Sequence, residues 1–211
     1  MGTRERRDRE RQETRTKILD AAREMFVAEG LEAATMREIA KRIEYTPTAI
    51  YHHFRDKRAL ITELVEQDFL AFANALQKTA RIEDPVERLR ASGLAYVDFG
   101  LTHPNHYRVL FMTPALAEEK SEVHSAHKGH PGEDAYGFLC ETVAACIDAG
   151  RFRKELKDPE LVAQMMWAGV HGLVSLHNVN VAGKAIAWRD PRKTARVLVD
   201  NAIRGALREE D

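Results

Sequence analysis

The sequence predicts an all-α fold, and three of its features carry that prediction. Apolar residues recur at intervals of three and four, the spacing of a helix with one buried face. Sustained apolar–polar alternation, the mark of a strand, is missing, and only seven prolines interrupt 211 residues. Capping residues stand where the stripes begin, and Gly or Pro stands where they stop. About nine helices are expected.

Ile18, Ala22 and Phe26 form the first stripe, with Leu19 and Met25 beside it and Gly30 as its stop. The second helix opens at Thr35-Met36-Arg37-Glu38, a capping box in which Thr and Glu can satisfy each other's orphan backbone donors, and runs to about Ile43. Thr46-Pro47 opens the third, Thr as cap and Pro at a position where no N–H is needed; it ends near His53-Phe54. Asp56 caps a long fourth helix carrying Leu60, Leu64, Phe69, Phe72 and Leu76. Asp84-Pro85, Asp158-Pro159 and Asp190-Pro191 each place the same cap-and-proline pair before a further stripe. A short segment holds Tyr107, Leu110 and Phe111, and another helix runs over 134–149. Residues 113–132, with two Pro, two Gly and three His, read as loop with at most one short helix.

Charge divides the chain. Residues 1–60 hold 14 Lys and Arg against 11 Asp and Glu, a net +3, while the remainder holds 18 against 22. No apolar stretch approaches the roughly 18 residues of a membrane span, so no membrane association is expected. Residues 1–17 alternate Arg and Glu without an apolar segment, so no secretory leader is expected. Cys140 and Cys146 lie about 9 Å apart along a helix, too far for a disulfide. A cytoplasmic protein with reduced thiols is the expectation.

Two short helices, 36–43 and 47–54, flank the turn Glu44-Tyr45-Thr46. That is the spacing of a helix–turn–helix, whose second helix enters the DNA major groove. Ile39, Ala40 and Ile43 would face inward from the first, Ile50 and Phe54 from the second. Arg37, Lys41, Arg42, Arg55, Lys57 and Arg58 surround them and suit phosphate neutralisation. On spacing alone, an ordinary helical hairpin competes equally with this reading.

The residues decide further. The run TMREIAKRIEYTPTAIYHHFRDKRALI, residues 35–61, resembles the DNA-binding domain of the TetR family of bacterial transcriptional regulators. Thr35, Ile39-Ala40, the Tyr51-His52-His53-Phe54 block and Lys57 with Leu60 carry the resemblance, and Ile18 to Ala22 and Phe26 to Gly30 fit the family's first helix. Glu44 departs from it, standing where the family usually has Gly.

The resemblance implies a mixed-charge arm over 1–14, a DNA-binding domain over 15–62 and a helical ligand-sensing and dimerisation domain over 63–211. It implies that Arg37, Pro47, Thr48 and Ala49 face bases and that Thr46 belongs to the same DNA-binding set. Tyr51, His52 and His53 would meet phosphates or thymine methyls, and Lys57 a phosphate at a helix N-terminus. Tyr51 has a second reading as partly buried core. The arm is expected to be disordered, with a minor-groove role as the lesser alternative.

Trp167-Ala168-Gly169-Val170-His171-Gly172 resembles a Trp-x-x-x-His-Gly segment of one TetR subfamily. The last two helices, rich in Gly and Ala, are the expected homodimer face. Tyr96, Phe99, His103, Tyr107, Phe111, Phe138, Trp167 and His171 are the candidate lining of a site for a small, mainly apolar effector, against core packing for most of them. The implied partners are a palindromic duplex, the effector and a second copy, with no cofactor and no metal. His124, His127 and His130 leave a metal-binding loop as an alternative. No phosphate loop, Gly-x-Ser-x-Gly elbow or His-Glu-x-x-His motif suggests an enzyme. The competing class is an all-α metal- or haem-binding protein; within the family, activator competes with repressor.

Overall fold

The computed structural model describes residues 3–130, 132–179 and 186–208. Ten α-helices and one 3₁₀ turn account for the described elements: α1 (Thr3–Glu29), α2 (Met36–Arg42), α3 (Pro47–Tyr51), α4 (Lys57–Gln77), α5 (Pro85–Thr102), α6 (Pro104–Met112), α7 (Ala117–His127), α8 (Ala135–Asp148), α9 (Pro159–Val179) and α10 (Pro191–Ala206), with the 3₁₀ turn Pro114–Leu116 before α7. Among the described residues the only β-type pairing is an isolated bridge between Phe152 and Leu207.

The chain divides into two compact units. The first comprises residues 1–68 and 105–123, the second 69–104 and 124–211, so α4 starts in one and ends in the other. By this grouping α6 and most of α7 belong with the N-terminal helices.

In the first unit, Ile18, Leu19, Ala22 and Phe26 of α1 are buried, as are Ile39 and Ala40 of α2, Ile50 of α3, and Leu60 and Leu64 of α4. The helices α2 and α3 pack together, Ala40 is fully buried, and Ile43, expected inward, is half-exposed. Arg23 of α1 and Asp68 of α4 are buried with them and paired at 2.8 Å. Burial alone would lower the Arg23 pKa. The hydrogen bonds and charge of Asp68, aided by Asp20, outweigh that and hold it raised.

In the second unit α5 and α9 pack on each other and each packs on both α8 and α10. The three Asp-Pro signals act as read: Asp84 accepts from Val86 N at 2.9 Å, Asp158 from Glu160 N at 3.0 Å and Asp190 from Arg192 N at 2.9 Å. Gly93 marks the close approach of α5 and α10, since a Cβ there would lie 3.1 Å from Val199 Cγ2.

Three expectations need correction. The arm over 1–14 is, from Thr3, the first half of α1 rather than a disordered segment. Arg, Glu and Gln favour helix, Arg6–Glu10 and Arg9–Glu13 pair at i,i+4 spacing, and extending a nucleated helix costs little. The stretch 113–132 holds the 11-residue α7, anchored by buried Val123, with buried Leu116 just before it. The third helix ends at Tyr51, short of 54, as His53 N and Phe54 N both turn back to the Ile50 carbonyl at 2.9 and 3.0 Å.

Candidate nucleic-acid interface

Two threonines start the helices of the motif. Thr35 Oγ1 accepts from Glu38 N, and Thr46 Oγ1 accepts from Ala49 N, each at 3.2 Å. Between the helices the chain closes in a Schellman turn: Tyr45 N donates to the Ala40 carbonyl at 2.9 Å and Glu44 N to the Lys41 carbonyl at 3.2 Å. That geometry needs a left-handed residue, and Glu44 has φ 60, the only non-Gly positive φ among the described residues. A side chain there costs about 1 kcal/mol. Glu44→Gly is therefore expected to raise stability by about that amount, read as a higher urea midpoint at unchanged slope. No gain would mean that the unfolded-state entropy of glycine cancels the relief.

The capped third helix turns a short polar face outward. Thr46, Pro47, Thr48, Tyr51 and His52 are exposed, Ala49 and His53 half-exposed, and Ile50 and Phe54 buried beneath. Tyr51, at 53 % exposure, is surface and not core. Arg37 on α2 is exposed as well. Lys57 is half-buried at the α4 N-terminus and donates to the Leu31 carbonyl, one of its three N–H groups.

Arg15 is a residue the sequence reading did not single out. Its Nη1 donates to the His53 carbonyl at 2.8 Å, its guanidinium lies 4.3 Å from the Phe54 ring centroid, and it pairs with Glu63. It thus ties α1 and α4 to the end of the recognition helix. Beside it, a concavity of about 490 Å³ is lined by Arg7, Glu10, Arg11, Thr14, His52 and His53. Burial, then the charges of Arg11, Arg15 and His52, lower the His53 pKa.

The candidate effector residues do not form one group. Tyr107 and Phe111 lie in the first unit, 4.9 Å apart by ring centroid, with Tyr107 fully buried. The other six lie in the second unit. Phe99 and His103 rings are 5.1 Å apart, and Tyr96 and Phe99 each meet Phe72 at 5.3 Å. Phe138 is buried in α8. Trp167 Nε1 donates to Tyr96 Oη at 3.0 Å, which uses an acceptor site on that oxygen. Tyr96 Oη also shares a hydrogen bond with His171 Nδ1 at 3.0 Å, and His171 Nε2 shares one with Ser175 Oγ at 3.2 Å, the donor in each set by the tautomer of the ring. Burial lowers the His171 pKa, in keeping with the neutral ring. The partner that His171 needs is thus supplied by the protein. Among the described residues no three His, Cys, Asp or Glu side chains gather as metal ligands, and His127 instead pairs with Glu133 at 2.7 Å.

The architecture matches known proteins at both ends. The family model described as "Bacterial regulatory proteins, tetR family" matches residues 18–64, and that described as "Tetracyclin repressor-like, C-terminal domain" matches 89–202. The chain belongs to the TetR family. The regulator UidR of Escherichia coli K12 is 39 % identical over 115 residues, covering 52 % of this chain and 53 % of UidR. AcrR of Shigella flexneri is 45 % identical over 148 residues, 66 % of this chain and 67 % of AcrR. The chain spans about half the length of UidR, a curated relative it matches. Among solved structures, a TetR family regulator from Marinobacter aquaeolei VT8 superposes with a TM-score of 0.74 at 19 % identity, covering 97 % of this chain and 100 % of that one. These relatives are named as transcriptional regulators, not enzymes. Among the described residues no helix is long and apolar enough to cross a membrane.

Proposed function

We propose that this TetR-family chain is a repressor that reads a palindromic operator as a homodimer and leaves it when a small molecule binds. The observation that carries the reading is the doubly capped α2–turn–α3 unit, with small and polar residues outward over a buried Ile50. Arg37, Pro47, Thr48 and Ala49 are assigned to base edges, Tyr51, His52 and His53 to phosphates or thymine methyls, and Lys57 to a phosphate, with the capping Thr46 at the edge of the same DNA-binding set. Two copies would pair through α9 and α10. The effector would be apolar or weakly polar and sit among Tyr96, Phe99, His103, Phe138, Trp167 and His171. Activation of transcription is the alternative, and the relative FasR of Mycolicibacterium smegmatis, 32 % identical over 109 residues, is named an activator.

Selection of bound sequences from a random duplex library tests the reading. An inverted repeat should emerge, bound at least about 10³-fold tighter than a scrambled duplex and with steep salt dependence. A sequence-independent isotherm would rule out an operator-reading regulator.

A further inference from the structure

The first half of α1 is an element the helix–turn–helix does not account for, and its charges are sorted by face. At 100° per residue, Arg4, Arg7, Arg11 and Arg15 fall within an arc of about 80°, while Arg6 and Arg9 point the opposite way. Arg6 is paired with Glu10 and Arg9 with Glu13. Arg4, Arg7 and Arg11 have no ion pair among the described residues; Asp8 flanks their row. Arg15, last in the row, is turned onto the His53 carbonyl and Phe54, which fixes the direction in which the row faces. Arg7 and Arg11 share the wall of the 490 Å³ concavity with Thr14, His52, His53 and Glu10, the last paired with Arg6, directly after the recognition helix. At that wall His53 Nδ1 is buried without a hydrogen-bond partner among the described residues.

We propose that this helical extension is a second DNA-contacting element, in which Arg4, Arg7 and Arg11 bind the phosphate backbone beyond the base pairs read by α3. The inference rests on the regulator reading above. Its occupant is a duplex rather than an acidic protein because the row is continuous with the recognition motif and uniform in sign over more than one turn. Arg7 and Arg11 are about 6 Å apart along the helix, and B-DNA presents one negative charge per about 1.7 Å of its axis, so each arginine can reach a phosphate. Such contacts carry no sequence information and add affinity on any flank.

The test uses the full chain and a selected operator in two lengths, the bare inverted repeat and the same repeat with flanks of about one helical turn (~34 Å) on each side. The double variant Arg7→Ala/Arg11→Ala should lower the salt slope on the long duplex by about 1.8 per chain and weaken binding about tenfold. It should also remove the advantage of long over short duplex that the parent shows. Arg6→Ala/Arg9→Ala, with the same change in charge on the opposite face, should leave the parent behaviour intact. Alanine keeps the helix in both variants, which circular dichroism checks. A parent that prefers the operator but a double variant with unchanged slope would overturn the inference alone, as would equal effects of the two double variants. A parent with no sequence preference would overturn the regulator reading and this inference with it.

Discussion

Asp68→Ala is expected to destabilise the chain by about 3–5 kcal/mol, the cost of leaving a buried charge unpaired. The Asp68 side chain is 1 % exposed and the Arg23 side chain 6 %. Arg23 Nε lies 3.1 Å from both carboxylate oxygens and Nη2 lies 2.8 Å from Oδ1, a bidentate grip between α1 and α4. His106 Nε2 of α6 stands 3.8 Å from the same carboxylate. Removing Asp68 leaves the guanidinium buried with, among the described residues, Asp20 as its remaining acidic partner at 2.5 Å, a side chain that is 57 % exposed. Asp68→Asn keeps the shape and some hydrogen bonding and should fall between alanine and the parent. Replacing both partners together with apolar residues of similar volume should cost far less than the single change. Urea midpoints read all three. A loss under about 0.5 kcal/mol for Asp68→Ala, the size of a typical surface change, would show that the pair is solvated in solution.

Gly172→Phe is expected to leave the chain folded and abolish the proposed dimer. A Cβ at Gly172 meets nothing within 4 Å, and a side chain in place of glycine improves helix propensity by up to about 1 kcal/mol. Yet the glycine sits in an outward apolar row of α9, with Leu161 61 %, Met165 50 %, Leu176 43 % and Val179 50 % exposed and Ala168 between them. Val197 of α10 is also out, at 55 %. A smooth row with a gap in it suits the close approach of a second helix, which a phenyl ring would hold off. Sedimentation should report a monomer, and affinity for the inverted repeat should fall by about 10²-fold or more, because the two heads no longer bind as one. A dimer of normal affinity would place the interface elsewhere.

What was legible in the sequence was local. Thr35, Thr46, Asp84, Asp158 and Asp190 cap helices within a few residues of themselves, so their roles follow from neighbours alone. Glu44 was marked as an anomaly by its position, and its left-handed φ of 60 accounts for it. Pairings across long sequence separations carry no local signal. Arg23 and Asp68 are 45 apart, and Tyr96 meets His171 over 75 residues, so neither pairing leaves a mark in its local stretch of sequence. The front of α1 lacks apolar residues and therefore lacks a periodic stripe, although salt bridges and a helix nucleus suffice to order it. In α7 a single buried valine was too sparse to register as a face.

Whether α3 reads bases is tested by repeating the duplex selection with Ala49→Leu. Ala49 is half-exposed between Thr48 and the buried Ile50, so leucine alters the shape presented to the groove and leaves the packing beneath alone. The parent should return an inverted repeat whose half-site centres are about 34–36 Å apart, or a multiple. The variant should return a repeat with the same spacing and salt slope and a different base at the positions facing residue 49. The same consensus and affinity from both proteins would mean that α3 does not read bases.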